Sequence, residues 1–319
     1  MSIKGKRIFI TGGGGFIGSA LCRKLVEDNE LVIYDNQRRD SIRFTDLAGH
    51  NNLAFRKGDI RDIDELRKHI RDVDMVVHLA AMAGVSSYFQ FPVETMEINM
   101  IGTYNVVKVS HEVGVERFVN FSSSEVYGPS IFGAREEQIT SQGNIHQARW
   151  SYSVSKLAGE HLCFAYRQQQ DLPVVSLRPF NIYGPGQVGE GAIQIFVPKA
   201  LRNEAIHVTG DGNQIRSWCY IDDFIDGAVA AMSCPDAVGE VFNIGNPRGT
   251  ITILNLVEKI VTLTGSRSKI VFMPHPSTEI ELRVPNIELA ERVLGFSPKI
   301  DLDEGLTRSI EWYRDIYSE

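Results

Sequence analysis

The stretch Thr11-Gly12-Gly13-Gly14-Gly15-Phe16-Ile17-Gly18 limits the possible folds of this chain more than any other. It comes directly after an apolar run, Arg7–Ile10, and opens a helical pattern near 16–28. Gly12, Gly15 and Gly18 keep three-residue spacing. That spacing permits a tight turn, a close approach of backbone to a pyrophosphate, and tight packing of helix on strand. Short β-branched runs occur next at Leu31–Tyr34, Leu53–Phe55, Met75–Leu79, Arg117–Phe121 and Val174–Leu177, alternating with helical patterns near 62–71, 93–113 and 150–170. Such a βαβα order predicts an α/β fold with a doubly wound, mostly parallel sheet.

After Arg178 the rhythm changes. Pro179, Gly184, Pro185, Gly186, Gly189 and Gly191 mark a long loop, and short strands near 206–208, 241–244 and 269–272 alternate with helices near 192–203, 222–232, 252–263, 287–294 and 303–317. The expected division is a Rossmann-type dinucleotide domain over 1–178 and a smaller α/β substrate-binding domain over 179–319, with the chain crossing between the lobes. With 319 residues, 43% of them hydrophobic, a sizeable core is available.

Asp35, at the end of the second strand, suits both ribose hydroxyls and would repel a 2′-phosphate, which favours NAD over NADP. The neighbouring Arg38 and Arg39 temper this preference, or form a solvated loop. Asp59 and Ile60, after strand three, are placed to meet an adenine; Leu79, Ala80 and Ala81, after strand four, are small enough for a cofactor to lie flat. His78 reads as a core histidine, and Asn99 as a binder of backbone or of a water relay. Cys22, Cys163, Cys219 and Cys234 show no metal-ligand spacing, so reduced thiols and no metal are expected. A net charge of −7 speaks against nucleic acid or an anionic membrane as the main partner. No signal-peptide pattern or long uncharged apolar run is present, so a cytoplasmic protein is expected.

The reactive chemistry is concentrated between Ser122 and Lys156. Tyr152 and Lys156 lie four residues apart and share a helix face, where an ammonium can stabilise a phenolate and lower its pKa from about 10 towards neutrality. A second match, Tyr104 and Lys108, lies mid-helix, where Tyr104 is expected to pack against neighbouring helices. Ser122, Ser123 and Ser124 form a hydroxyl-rich strand end, and Glu125 adds a carboxylate that simple alcohol oxidation does not need.

Taken together, TGxxGFIG, HLAA, SSSEVYG, YxxxK, RPFNxYGP, GDG with a following RSxxYxDD, and a late RxP resemble the extended short-chain dehydrogenase/reductase family, specifically its NAD-dependent nucleotide-sugar epimerases, dehydratases and decarboxylases. The resemblance covers nearly the whole chain. It implies that Tyr152 is the base for the sugar 4-hydroxyl, that Lys156 binds the nicotinamide ribose, and that Ser124 or Ser123 bonds the same hydroxyl. It also places Asn36, Ser122, Asn99 and Phe180 around the cofactor, with Phe180 near the nicotinamide. Asn181, Arg216 and Arg283 would contact a nucleoside diphosphate, a UDP-sugar by preference, with Lys199, His207 and Thr209 lining the base pocket. Family members usually dimerise through helices that here fall near 93–113 and 150–170. A homodimer is therefore expected, with Val106, Val109, Leu157 and Leu162 as candidate interface positions.

Oxidation of C4 to a ketone is common to the group, and Glu125 bears on the step after it. A plain 4-epimerase needs no extra acid. A 4,6-dehydratase needs a carboxylate to remove the C5 proton, and in a UDP-glucuronate decarboxylase the C4 ketone makes a β-keto acid that loses carbon dioxide. Ser124-Glu125 occurs in decarboxylases and in GDP-mannose-type dehydratases, and Arg283 falls where decarboxylases carry a catalytic arginine. An ionised Glu125 would repel a glucuronate carboxylate unless Arg283 or a proton offsets it. Decarboxylation of UDP-glucuronate is the first expectation, 4,6-dehydration with Glu125 as the C5 base the second, and 4-epimerisation the third. A nonenzymatic NAD-sensing protein on the same fold would commonly lack Tyr152 or Lys156.

Overall fold

Apolar runs flanked by crossover helices build strands that are covered on both faces. The computed structural model describes residues 3–275 and 280–317. Along the chain, β1 (Arg7–Thr11), β2 (Glu30–Asp35), β3 (Leu53–Lys57), β4 (Met75–His78) and β5 (Arg117–Phe121) come first. Next come β6 (Ser130–Ala134), the helix Ser151–Gln170, β7 (Val174–Pro179) and β8 (Ile182–Tyr183). The remainder carries β9 (Ile206–Thr209), β10 (Ile215–Ser217), β11 (Cys219–Tyr220), β12 (Val241–Ile244), β13 (Thr250–Thr252), β14 (Ile270–Met273) and β15 (Leu282–Pro285).

Seven strands form one parallel sheet in the order β12-β7-β5-β4-β1-β2-β3. Alternate residues feed two cores. Phe9, Val76, Phe118 and Val174 pack under one helical layer, and Ile10, Val77, Val119 and Val175 under the other. The winding reverses between β1 and β4, which opens a crevice at their carboxyl ends. His78 sits there as a core residue. Its Nδ1 lies 2.7 Å from Thr11 Oγ1 and its Nε2 2.9 Å from Thr103 Oγ1. Burial, with Lys156 adding, pushes it down to about 3, so it is neutral.

A four-stranded sheet, β13-β10-β15-β6, supports the second lobe. The chain crosses residue 178 in both directions: β6 joins this smaller sheet, and β12 completes the large one beside β7. The strands β6, β8, β10, β11, β13 and β15 were not foreseen. β8, β10, β11 and β13 are two or three residues long, too short to show an alternation, while β6 contains Gly133 and β15 ends on Pro285.

The helical stretch expected at 93–113 runs from Pro92 to Val113 but opens into a π-helical turn over Glu97–Ile101. One expectation on this stretch is corrected. Val106 and Val109 are buried in this chain's own core and face no partner, while Val93, Ile101 and Tyr104 are exposed. Tyr104 is thus only partly covered by its neighbours; the Lys108 ammonium lies 5.7 Å from its ring centre. All four cysteines are buried and unbridged. Among the described residues no helix is long and apolar enough to cross a membrane.

Candidate active site

The glycine turn after β1 is held against β4. A Cβ on Gly12 (φ +72°) would lie 2.6 Å from the Ala80 backbone nitrogen, and one on Gly18 2.4 Å from the Gly12 carbonyl. Neither position tolerates a side chain, as close packing of helix on strand requires. The cleft above this turn is lined by Gly12, Gly15, Phe16, Ile17, Gly18, Asp35, Asn36, Asp59, Ile60, Leu79, Ala80 and Ala81, all anticipated from the sequence. Asp35 accepts from the Gly14 N–H at 3.0 Å and the Gln37 N–H at 2.6 Å, which holds its carboxylate at the cleft wall. Asp59 is paired with Arg61, which holds its carboxyl below the usual range. Ser122 Oγ is buried without a hydrogen-bond partner. A bare glycine cradle, a ribose-height carboxylate and an orphaned hydroxyl suit a dinucleotide.

Asn99 works on backbone. Its Oδ1 accepts from Met82 N at 2.7 Å, and its Nδ2 donates to Met82 O and Ser155 Oγ, tying the loop after β4 to the helix Ser151–Gln170. Phe180 is fully buried with Val126, Tyr127 and Ala134, behind the hydroxyl segment rather than on the cleft wall.

Glu190 is a feature of the cleft that sequence reasoning missed, and it settles between the two readings of Arg39. Arg39 is not a solvated loop residue: its Nη2 donates to Ala83 O at 2.6 Å and pairs with Glu190 at 3.5 Å. Glu190, from the long loop after β8, accepts from Ser86 N at 2.6 Å and from Ser87 Oγ at 3.1 Å. Three loops thus meet across the cleft. Glu190→Gln removes the charge from these bonds and is expected to release a bound dinucleotide about tenfold faster, equivalent to ~1.4 kcal/mol. Stopped-flow displacement measures this; an unchanged release rate would show that the three-loop contact does not restrain the cofactor.

Ser123 caps the short turn Ser124–Tyr127, its Oγ accepting from Glu125 N at 3.1 Å. The same hydroxyl acts on the Tyr152 phenol, opposing its upward shift, so of the two candidate serines Ser123 faces the tyrosine. Gln142 holds the two segments together, donating to Val126 O and accepting from Ser153 Oγ. Tyr152 stands in the first turn of its helix, stacked on Tyr88 with ring centres 5.9 Å apart at 20°.

The expected fall in the Tyr152 pKa is corrected. Burial pushes the phenol up to about 12; Ser123 opposes this, Glu125 adds to it, and Arg39 and Arg149 also oppose it. Burial likewise pushes the Lys156 ammonium down to about 8. Desolvation penalises both charged forms, and the groups that act most on the phenol are Ser123, Glu125, Arg39 and Arg149 rather than the Lys156 ammonium that sequence spacing suggested.

Glu125 is held by two arginines. Arg149 Nη1 and Nη2 donate to Oε2 and Oε1 at 2.7 and 3.0 Å, and Arg283 Nη1 lies 3.4 Å from Oε1. Burial works to raise the pKa of this carboxyl, yet Arg283, Arg149 and the more distant Arg216 outweigh it and hold the group below the usual carboxylate range. Arg149 was missed. It occupies the turn Ala148–Trp150, three residues before Tyr152, and no motif distinguishes it from a surface arginine.

Arg216 and Arg283 are in register on adjacent parallel strands, so the two anticipated cations do meet. Asn181, at φ +41°, donates through Nδ2 to Ser217 O on the same strand as Arg216. Lys199 Nζ and His207 Nδ1 lie 3.4 Å apart in an exposed setting, and the Thr209 carbonyl accepts from Gln214, two residues before Arg216.

Comparison with known proteins agrees with this geometry. A family model described as NAD dependent epimerase/dehydratase family matches residues 8–245. The chain is 34% identical to a UDP-N-acetyl-alpha-D-glucosaminuronate decarboxylase of Bacillus cytotoxicus, covering 98% of this chain and 99% of that one. It is also 34% identical to UDP-glucuronic acid decarboxylase 1 of Danio rerio, covering 97% and 72%. A solved UDP-glucuronic acid 4-epimerase from Bacillus cereus, in complex with UDP-glucuronic acid and NAD, superposes with a TM-score of 0.90 at 29% identity, over 98% and 100% of the chains. A glycine turn, an Asp35 carboxylate and a family match spanning both halves of the large sheet lead to one conclusion: this chain belongs to the NAD dependent epimerase/dehydratase family, and its cofactor is NAD.

Proposed function

We propose that this protein decarboxylates a UDP-uronate, UDP-glucuronate in the first instance, by way of a C4 ketone. The observation that carries this reading is the Arg149–Glu125–Arg283 cluster. Two cations around one carboxylate leave a net positive charge where an acidic sugar substituent can be offset, which answers the like-charge objection to Glu125. The same pairing weighs against 4,6-dehydration, because a carboxylate held below its ordinary pKa is a poor base for a C5 proton. Both relatives named above carry uronate decarboxylase names, and they differ in the substituent on the sugar.

NAD, when bound, accepts a hydride from the sugar C4. Tyr152 takes the proton of the 4-hydroxyl, with Ser123 facing the phenol and Lys156 one helical turn along the same face. Once C4 is a ketone, the bond from C5 to the carboxylate breaks, its electron pair moves towards the C4 oxygen, and carbon dioxide leaves. The protonated phenol stabilises the developing enolate oxygen, C5 takes up a proton, and return of the hydride to C4 with the Tyr152 proton passing to the C4 oxygen leaves carbon dioxide as the only net loss. Glu125, fixed by Arg149 and Arg283, stays ionised throughout.

The test is incubation of protein and NAD with UDP-glucuronate, its N-acetylglucosaminuronate counterpart, UDP-glucose, UDP-N-acetylglucosamine and dTDP-glucose, with products resolved by mass. Loss of carbon dioxide from either uronate is the expected result. Loss of water from a neutral sugar would replace this reading with dehydration. An altered sugar of unchanged mass would replace it with epimerisation.

A further inference from the structure

Arg149 and Arg283 both touch Glu125, but in different ways. Arg149 presents the fork of its guanidinium to both carboxylate oxygens, at 2.7 and 3.0 Å, and only 4% of its side chain is exposed. Its other faces are enclosed by rings: the guanidinium carbon lies 5.1 Å from the Tyr88 ring centre and 5.5 Å from that of Trp150. Trp150 is itself buried and tied to Gln147. Arg283 makes one long contact with Glu125 at 3.4 Å, is anchored by Nη2 to Gly128 O, and keeps its buried Nε without a hydrogen-bond partner. A two-point, charge-assisted pair is shorter and stronger than a single long one. The two arginines are therefore not equivalent.

We propose that Arg149 is a positioning residue that locks Glu125 as a fixed counter-ion, leaving Arg283 as the exchangeable cation for an acidic group carried by the sugar. Glu125 and Arg149 cancel each other, so Arg283 meets an incoming carboxylate with its own charge uncompensated. Without Arg149, Glu125 would draw Arg283 fully to itself, and a uronate would face a buried anion. The charged and titratable groups around Glu125 are Arg149 from the turn before the long helix, Tyr152 from that helix, Arg283 from β15 and Arg216 from β10. Tyr88, stacked on Tyr152, lies under Arg149, so the same guanidinium also steadies the ring against the phenol.

The half of this inference that concerns the sugar rests on the proposed uronate reaction; the Glu125–Arg149 half does not. Two measurements separate them, made on the full chain loaded with NAD. The first tracks the Glu125 carboxyl by carbon NMR with labelled glutamate, assigned by its loss in Glu125→Gln. Arg149→Gln is expected to move the titration midpoint upward, and Arg149→Lys, which keeps the charge but loses the fork, to move it partway. The second is binding in a Tyr152→Phe background, where turnover is suppressed. Arg149→Gln is expected to weaken UDP-glucuronate on the order of tenfold to a hundredfold while leaving UDP-glucose unchanged. Adding Glu125→Gln is expected to recover the uronate affinity.

An unmoved midpoint in both Arg149 variants would overturn the positioning role. A double variant that stays weak would also overturn it, because Arg149 would then be contacting the substrate itself. A shifted midpoint in a protein that shows no preference for uronates would leave the Glu125–Arg149 lock standing and remove the uronate reading.

Discussion

Replacing Tyr152 with Phe is expected to lower turnover on the order of 10²–10⁴-fold, the range that a positioned proton-transfer group supplies. The fold should survive, because phenylalanine keeps the ring stacked on Tyr88 and loses only the hydroxyl that faces Ser123. NAD binding should survive as well. The cleft that takes the dinucleotide is lined by the glycine turn, Asp35, Asp59 and the Leu79–Ala81 strand end, not by the phenol. Nicotinamide absorbance on mixing with UDP-glucuronate would show no hydride transfer, while a titration with NAD gives the wild-type dissociation constant. Wild-type turnover in this variant would refute the assignment of Tyr152 as the base. Since burial pushes the phenol up to about 12, the phenolate is scarce at neutral pH in the protein alone. Any group that depresses that pKa favours the ionised base, so the rate in wild type should rise with pH on its acid side, and Tyr152→Phe should abolish that rise.

The second large effect concerns stability. Arg178 on β7 and Glu160 on the helix Ser151–Gln170 form an ion pair whose side chains are 5% and 6% exposed. Arg178 also donates to the Tyr127 hydroxyl at 2.7 Å and to Glu136 O at 3.1 Å; Tyr127 in turn donates to Asn243 on β12 at 2.8 Å. The network joins the helix that carries Tyr152, the segment that carries Glu125, and both sheets, since Asn243 Nδ2 donates to Ala134 O on β6. Glu160→Gln leaves Arg178 as an uncompensated buried cation. The expected loss is about 3–5 kcal/mol, or a fall in Tm on the order of 10 °C. Calorimetry checks it. Adding Arg178→Met should return part of the loss, because removing both charges costs less than orphaning one. A Tm equal to wild type in Glu160→Gln would mean that water or neighbouring groups already compensate Arg178.

How much of this is legible in the sequence depends on the range of the interactions concerned. The glycine turn, the alternating strands and helices, and the face shared by Tyr152 and Lys156 depend on neighbours within a few residues, so spacing and periodicity expose them. Twelve residues read as cofactor contacts do line the cleft, because the carboxyl end of each parallel strand must open there. Where the sequence misleads, the cause is physical. Strands of two or three residues carry no resolvable period. Val106 and Val109 resemble interface residues because apolarity does not say which core a side chain enters. The Tyr152 pKa moves opposite to expectation because spacing shows a shared helix face but not the desolvation that dominates the phenol's surroundings.

Taken by itself, the amino-acid order determined the parallel sheet, the glycine-lined cleft and the helix face shared by Tyr152 and Lys156, since each arises from local chain geometry repeated along a strand–helix unit. The tertiary structure alone decided what surrounds Glu125 and what spans the cleft. Arg149 reaches Glu125 across 24 residues, Arg283 reaches the Gly128 carbonyl across 155, and Glu190 reaches Arg39 across 151. Electrostatics at such separations depends on which charges the fold brings within a few ångströms and how far it excludes water, and no spacing rule along the chain encodes either.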